Sequence, residues 1–145
     1  MNDARPTFVS ETPLRVRYAE TDAMGIVHHA SYIIWFEVGR SDWLRQQGTS
    51  YADVEASGYL LVVSEVQARF MRPARYDELL VIRTRVAELR SRKLRFEYEI
   101  VRQGTGETLV VGATSHIMTD REGRVTTFPA ELRGLLANGN VTSPL

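Results

Sequence analysis

An acid and two histidines lie close together in the first third of the chain, within residues 18–40. Asp22 is followed by the flexible Gly25, and His28 and His29 stand directly before the most apolar helix-like run of the sequence. A carboxylate can activate water as a general base or attack a carbonyl carbon directly. The unbonded N–H groups at a helix start favour negative charge. Asp22 and a helix start seven residues later could therefore attack a carbonyl and stabilise the resulting oxyanion.

Each of these residues also has a plainer interpretation. A lone acid such as Asp22 in a turn-prone segment commonly caps its own turn. Adjacent histidines at a helix start point in different directions, and His116 is the only other histidine, so a metal site is not expected. We interpret His29 as a polar site residue rather than a packing or subunit-contact residue, and His28 as a surface or interface residue. Tyr18 fits the site and the core equally well.

The composition limits both the chemistry and the partners. The 145 residues have no net formal charge and a pI of about 6.8, so no overall field favours nucleic acid. The absence of cysteine excludes disulfides, thiolate nucleophiles and Cys-ligated metals. No apolar run approaches the roughly 18 residues of a membrane span. We predict a cytoplasmic protein with an N-terminal tail over 1–11, a single domain over 12–137 and a C-terminal tail over 138–145.

Hydrophobic periodicity predicts a long, mostly buried helix from about Ala30 to a stop near Gly48. Gly39 within it costs about 1 kcal/mol relative to Ala in a helix interior. Its presence predicts that the helix closely approaches whatever it packs on. The predicted buried face consists of Tyr32, Trp35, Phe36, Gly39 and Trp43, widened by Ile33, Ile34, Val38 and Leu44.

Strand-like runs flank this helix, and a short helix opening at Pro129 follows them. The order of elements predicts an α+β fold in which an antiparallel sheet of five or six strands wraps around one long central helix. The predicted strands are residues 14–18, 60–70, 79–89, 94–102, 108–118 and an edge strand at 124–127.

The stretch that contains Asp22 resembles the 4-hydroxybenzoyl-CoA thioesterase family of the hotdog fold. The resemblance covers about residues 12–135. It is closest to the bacterial acyl-CoA thioesterase subgroup associated with the Tol-Pal cell-envelope system, which shares the V-x-H-A-S-Y run at residues 27–32. Relatives often have two acids before the Thr, where this chain has only Glu20. The residues that carry the resemblance are Tyr18, Thr21, Asp22, Gly25, Ile26, Val27, His29, Tyr32, Phe36 and Arg40.

This resemblance implies an acyl-CoA thioesterase, which hydrolyses an acyl-CoA thioester to a free acid and CoA. It assigns the catalytic carboxylate to Asp22 as general base or nucleophile, and the oxyanion donor to the backbone N–H near His29. Tyr18 and His29 assist, and no metal or redox cofactor is implied beyond the CoA of the substrate. A basic turn matches the family's CoA contacts, although it could simply be a solvated turn. The residues assigned to substrate or CoA binding are Gly25, Ile26, Val27, Ser64, Arg90, Arg92 and Lys93.

The resemblance also implies a dimer that joins two sheets edge to edge, and frequent homotetramers built by sheet or helix packing. Asp22 of one chain and the basic turn of the other would then serve one CoA. Two alternatives stay open. A non-catalytic acyl-CoA or acyl-carrier-binding hotdog protein would not need Asp22. An enoyl-CoA hydratase pairs an Asp with a His five residues later in an Asn- and Pro-rich turn, whereas here the spacing is six and the turn reads Ala-Met-Gly.

Overall fold

The computed structural model describes residues 8–138, whose strands form one antiparallel sheet that packs against a long helix. The strands are β1 (Ser10–Arg15), β2 (Tyr59–Phe70), β3 (Leu79–Leu89), β4 (Lys93–Arg102) and β5 (Thr108–Asp120), and the helices are α1 (His29–Gln46), α2 (Tyr51–Ala56) and α3 (Ala130–Asn138). The order across the sheet is β1-β3-β4-β5-β2, so β1 and β2 are its edges. The predicted α+β arrangement is confirmed, and β2 to β5 begin and end within two residues of their predicted bounds.

The face of α1 that meets the sheet is the one that its aromatic spacing predicts. All four aromatic residues of that face are buried. A Cβ added to Gly39 would lie 2.4 Å from Thr84 Oγ1 and 2.8 Å from Ile82 Cγ2. The predicted close approach of the helix is therefore confirmed, and it is made against β3.

The prediction that α1 is buried on most sides is wrong for its outer face. Ile33, Ile34 and Val38 are 41%, 57% and 37% exposed, whereas Leu44 is buried as predicted. A helix with 3.6 residues per turn presents only one stripe to a sheet, so apolar residues beside that stripe in sequence can point away from it. An uncovered apolar stripe consequently runs along α1.

The first strand lies earlier than predicted. Alternation over residues 14–18 predicted a strand there, but β1 pairs with β3 only up to Arg15. Tyr18 instead begins a 3₁₀ turn that extends to Glu20. Val16 is buried just beyond β1. It therefore continues the apolar alternation past the last ladder pair, which explains the displaced prediction.

The N-terminal tail predicted for residues 1–11 does not extend as far as residue 11. Phe8 packs on Trp43 with the ring centroids 6.3 Å apart, and β1 begins at Ser10. Residues 8–11 thus belong to the folded part of the chain, because an aromatic anchor and strand pairing hold them. The rest of the two predicted tails, residues 1–7 and 139–145, lies outside the described residues.

The last predicted strand, residues 124–127, is reduced to a single bridge between Val125 and Thr119. The Asp120 carboxylate accepts the N–H groups of Glu122 and Arg124, both at 2.9 Å. These bonds hold a tight turn and occupy amide groups that a strand ladder would otherwise use. Asp-Arg-Glu-Gly was correctly predicted as a turn, and its self-capping limits the pairing that follows.

The edge strand β2 exposes much of its apolar surface. Val62, Val63, Val66 and Phe70 are each about two-fifths exposed. The register of β2 against β5 shifts between Val63 and Glu65, which marks a β-bulge. Such a strand leaves backbone hydrogen-bonding groups unpaired along its outer side, which makes it a template for another strand.

We expect Gly112→Ala to lower the free energy of unfolding by about 1–3 kcal/mol, the usual effect of overpacking. A Cβ at Gly112 would lie 2.4 Å from Phe36 Cζ and 2.6 Å from the Gln67 carbonyl oxygen, so either α1 or β2 must shift. Gly134→Ala is the matched control. Gly134 lies in a helix with no atom within 4 Å of a new Cβ, so this change should stabilise by about 0.5–1 kcal/mol. Urea unfolding of both variants measures the difference, and equal effects would contradict the tight seating of α1.

Candidate active site

Asp22 opens a tight turn that its own carboxylate stabilises. The Asp22 N–H donates to the Ile26 carbonyl at 2.8 Å, and the Gly25 N–H donates to the Asp22 carbonyl at 3.0 Å. Gly25 has a φ of +80°, a conformation that glycine adopts without strain, so the predicted tight turn is confirmed. Asp22 Oδ1 also accepts the Met24 N–H at 2.8 Å. The carboxylate is thus held in one orientation by its own turn.

The turn-capping interpretation of Asp22 accounts for only one of its two oxygens. Asp22 is exposed, and its Oδ2 makes no hydrogen bond within residues 8–138. A carboxylate fixed through one oxygen and unbonded at the other can accept a proton from water or bond to an electrophilic carbon. Both chemical roles predicted for Asp22 remain open to this arrangement.

The start of α1 lies beside this turn and is capped by His28. The Nδ1 of His28 accepts the Ala30 N–H at 3.1 Å, and the His28 carbonyl accepts the Ser31 N–H at 2.9 Å. The His29 N–H has no hydrogen-bond partner in the described part of the chain. It is therefore a donor at the positive end of the helix dipole. His28 is exposed as predicted, but its capping role was missed because histidine is not among the usual capping residues.

The side chains of His29 and Tyr18 lie on the surface around the turn. The exposed His29 ring stacks on Phe70, with centroids 4.2 Å apart and planes 8° apart. Tyr18 is 77% exposed, so it is not a core residue. Its ring packs edge-on against Tyr76 at 5.6 Å. The imidazole is consequently held in place by the last residue of β2.

Glu20 is a buried acid whose importance the sequence did not reveal. Its carboxylate accepts the Trp35 indole N–H at 2.8 Å, the Arg17 N–H at 2.7 Å and the Arg17 guanidinium at 3.0 Å. Burial alone would raise the pKa of Glu20, but the hydrogen bonds from Arg17 and Trp35 outweigh it, and the pKa lies below its ordinary value. The acid is therefore held ionised between the 3₁₀ turn and α1.

The predicted substrate-binding residues are divided between two places. Ile26 pairs with Arg75 in an isolated bridge and Val27 is buried in the core, so both anchor the Asp22 turn. Ser64 is exposed on β2, and its hydroxyl donates to a β5 carbonyl. It lies six residues from Phe70, or about 20 Å along the strand. One chain therefore does not bring Ser64 to the Asp22 turn.

The basic turn lies at the far end of the sheet from Asp22. Arg90, Arg92 and Lys93 are exposed where β3 turns into β4, and Arg90 pairs with Glu88 at 2.8 Å. The Asp22 turn instead contacts the segment that precedes β3. The eleven residues of β3 separate the two by about 36 Å. A single chain therefore does not bring the two predicted parts of the site together.

Comparison with known proteins connects this geometry to a family. A model described as the thioesterase-like superfamily matches residues 16–136. The chain belongs to the thioesterase-like superfamily. Its relatives in this superfamily include the acyl-CoA thioesterase candidate YneP of Bacillus subtilis (strain 168), which is 38% identical over 114 residues, 79% of this chain and 82% of YneP. The acyl-CoA thioester hydrolase YbgC of Escherichia coli O6:H1 is 37% identical over 89 residues, 61% of this chain and 66% of YbgC.

The solved structure of a DHNA-CoA thioesterase from Staphylococcus aureus superimposes on this chain with a TM-score of 0.85. The two sequences are 28% identical, and the match covers 90% of this chain and 89% of that structure. The hotdog fold and the family resemblance predicted from the residues around Asp22 are thereby confirmed.

Two further findings concern other kinds of site in this thioesterase-like protein. Between residues 8 and 138, no group of three or more His, Cys, Asp or Glu side chains is arranged to hold a metal ion. Over the same residues, none of the helices combines the length and the apolar character that crossing a membrane requires.

A buried polar cluster extends from α1 into the sheet of this protein. Arg40, one of the residues that carry the family resemblance, is 8% exposed, and its Nε donates to the Tyr51 hydroxyl at 3.1 Å. The Tyr98 and Thr114 hydroxyls are 2.5 Å apart, and Thr114 Oγ1 lies 2.8 Å from His116 Nε2. Within residues 8–138, no carboxylate pairs with Arg40. Burial and the Arg40 charge lower the pKa of His116 to about 3.

We expect the free energy of unfolding to decrease as the pH falls below about 6.5, because His116 is buried in its neutral form. His116 stays neutral in the folded chain, whereas in the unfolded chain it binds a proton near its ordinary pKa of about 6.5. The unfolded state therefore gains a proton that the folded state does not, at up to about 1.4 kcal/mol per pH unit. Denaturant unfolding at pH 7, 6 and 5 measures this slope, and His116→Gln should remove it. Equal slopes in the two proteins would contradict the buried neutral histidine.

Proposed function

We propose that this chain is an acyl-CoA thioesterase that hydrolyses an acyl-CoA to a free acid and CoA. The observation that carries the proposal is that the start of α1, with its unbonded His29 N–H, lies beside a turn whose Asp22 carboxylate is fixed through one oxygen and unbonded at the other. The names of relatives support the same activity, since YbgC is an acyl-CoA thioester hydrolase. The proposal includes neither a metal nor a redox cofactor, and we propose the cytoplasm as the location of the protein.

Asp22 is proposed to act in one of two ways. As a general base it takes a proton from a water molecule whose oxygen bonds to the acyl carbon, and CoA leaves as a thiolate when the carbon–sulfur bond breaks. As a nucleophile it bonds to the acyl carbon itself, the carbon–sulfur bond breaks as CoA leaves as a thiolate, and water then hydrolyses the resulting mixed anhydride to the free acid. A thiolate leaves without strong acid assistance, so one carboxylate suffices in either route.

The start of α1 is proposed to stabilise the oxyanion that forms on the acyl oxygen. The His29 N–H supplies the hydrogen bond, and the positive end of the helix dipole adds to it. Loss of one such donor commonly costs about 3–4 kcal/mol in the transition state. The His29 imidazole, fixed against Phe70, and the exposed Tyr18 are proposed to orient the thioester at the mouth of this site.

A homodimer is proposed to complete the site by antiparallel pairing of two β2 edges. Two-fold symmetry would place the Phe70 end of one β2 beside the Tyr59 end of the partner's β2. At that end Leu61 pairs with Met118, whose N–H donates to the Arg92 carbonyl at 3.1 Å. The partner's basic turn would thus lie two strand spacings from the shared edge, about 10 Å. It would approach His29 and Asp22 from across the interface and bind the phosphates of CoA. Dimers of this kind are further proposed to pair into a tetramer.

The enoyl-CoA hydratase alternative has little support in the geometry. The histidine six residues after Asp22 is His28, and its Nδ1 is occupied in capping α1. The non-catalytic binding alternative is supported by the turn-capping contact of Asp22. Thiol release by the Asp22→Asn variant distinguishes this alternative from catalysis.

We expect Asp22→Asn to reduce thiol release from acyl-CoAs by at least about 10²-fold, because the amide neither accepts the proton nor attacks the acyl carbon. Asn can still accept the Met24 N–H, so the turn should persist. The assay uses short, long and aromatic acyl groups. Asp77→Asn is the matched control, since Asp77 is another exposed acid at the same end of the sheet and has a φ of +71°, which Asn tolerates. Tight acyl-CoA binding without turnover in the natural sequence would favour the binding protein instead.

We expect two inactive variants to restore activity to each other when their subunits are mixed. One carries Asp22→Asn and the other carries Arg92→Ser with Lys93→Ser. If one site uses Asp22 and the partner's basic turn, each mixed dimer has one intact site and one doubly defective site. Random mixing after unfolding and refolding should recover about a quarter of the wild-type activity at low acyl-CoA concentration. No recovery despite mixed dimers would show that each chain supplies its own complete site.

A further inference from the structure

The buried carboxylate of Glu20 joins two parts of the proposed site. Glu20 is 7% exposed, although it precedes the exposed Asp22 by only two residues. Its Oε2 accepts the Trp35 indole N–H at 2.8 Å, and Trp35 lies six residues inside α1. The Glu20 carboxylate therefore connects the loop that contains Asp22 to the helix whose first residue supplies the proposed oxyanion donor.

The backbone of Glu20 makes a second connection to the same helix. Its carbonyl accepts the His28 N–H at 2.8 Å and the Ser31 hydroxyl at 3.2 Å. These bonds lie on both sides of His29, whose own N–H is unbonded. Two hydrogen bonds to the Glu20 carbonyl thus fix the position of the His29 N–H. The Asp22 turn begins two residues after Glu20.

We propose that Glu20 is a positioning residue that, through the Trp35 indole, sets the separation of the Asp22 carboxylate from the His29 N–H. This inference rests on the proposed thioesterase function and adds to it a residue that does not touch the substrate. Three donors satisfy the Glu20 carboxylate, so its burial leaves the loop one well-defined position rather than a range of positions.

The geometry separates positioning from simple stability. Trp35 is 1% exposed, and phenylalanine at this position would keep a buried aromatic ring while removing the indole N–H that reaches Glu20. Removing that N–H leaves the ring buried and releases one hydrogen bond to the loop. The loss should alter where Asp22 lies relative to His29 more than it alters the packing of α1.

The test compares Trp35→Phe with Trp43→Phe. Trp43 lies on the same helix, is fully buried, and donates its indole N–H to the Phe8 carbonyl at 3.4 Å, far from the Asp22 turn. Both changes remove one indole N–H from a buried ring. Thiol release from the preferred acyl-CoA gives kcat and KM, and thermal unfolding gives the stability of each variant.

We expect Trp35→Phe to lower kcat about 10- to 100-fold with little change in KM, because small displacements of reacting groups reduce the chemical step. Trp43→Phe should leave kcat unchanged even where it lowers the melting temperature. Glu20→Gln should resemble Trp35→Phe, and the double variant should lose little more than either single change, since both remove the same connection.

Amide hydrogen exchange of His28 gives a readout that does not need turnover. Its N–H donates to the Glu20 carbonyl, so exchange should become faster in Trp35→Phe and stay unchanged in Trp43→Phe. Equal kcat losses in the two tryptophan variants, or unchanged His28 exchange in Trp35→Phe, would overturn the positioning role while leaving the thioesterase activity of the natural sequence intact. A natural sequence with no turnover of any acyl-CoA would instead overturn the proposed function, and the positioning role of Glu20 with it.

Discussion

The close seating of α1 on the sheet is the constraint on which the rest of the molecule depends. Gly39 allows the helix to approach β3, and Gly112 allows the Phe36 ring to lie against β5. Neither position has room for a single added methyl group. Protein interiors are packed as densely as organic crystals, so a helix held at two such points has little freedom to slide or rotate. The start of α1, and with it the His29 N–H, therefore has a fixed place above one end of the sheet.

Two acids separated by one residue contribute in different ways because their surroundings differ. Glu20 is enclosed by Arg17 and the indole of Trp35, and it connects the loop to the helix. Asp22 is exposed, with one oxygen bound to its own turn and the other unbonded among the described residues. A buried, fully bonded carboxylate stabilises a loop but is unavailable for chemistry, whereas an exposed one is available and needs that loop to hold it.

Much of the fold follows from patterns that are visible in the sequence. Alternation located β2 to β5 to within two residues, and aromatic spacing identified the buried face of α1 and the tight contact at Gly39. Patterns of this kind report which residues are apolar at a given period. They do not report whether another element packs over those residues. For this reason Ile33 and Ile34 were predicted to be buried, although they are exposed.

The candidate site was only partly predictable for a related reason. The turn at Asp22 and the helix start at His29 are neighbours in sequence, and local rules together with the family motif identified both. The hydrogen bond from Trp35 to Glu20 spans 15 residues and has no local signature. The distance of the basic turn from Asp22 depends on the course of β3 through the sheet, which spacing along the chain does not encode.

The two edges of the sheet differ in a way that limits how the protein can assemble. β1 has six residues and contains Pro13, which has no N–H to offer a further strand, and charged Glu11 and Arg15 flank it. β2 has twelve residues, contains no proline, and exposes Val62, Val63, Val66 and Phe70 among its polar residues. β2 is therefore the edge more open to a further strand, and the proposed symmetric pair of chains would occupy that edge completely. In such a pair, growth of the sheet would stop at two copies, so the exposed strand that allows association would not seed an open-ended fibre.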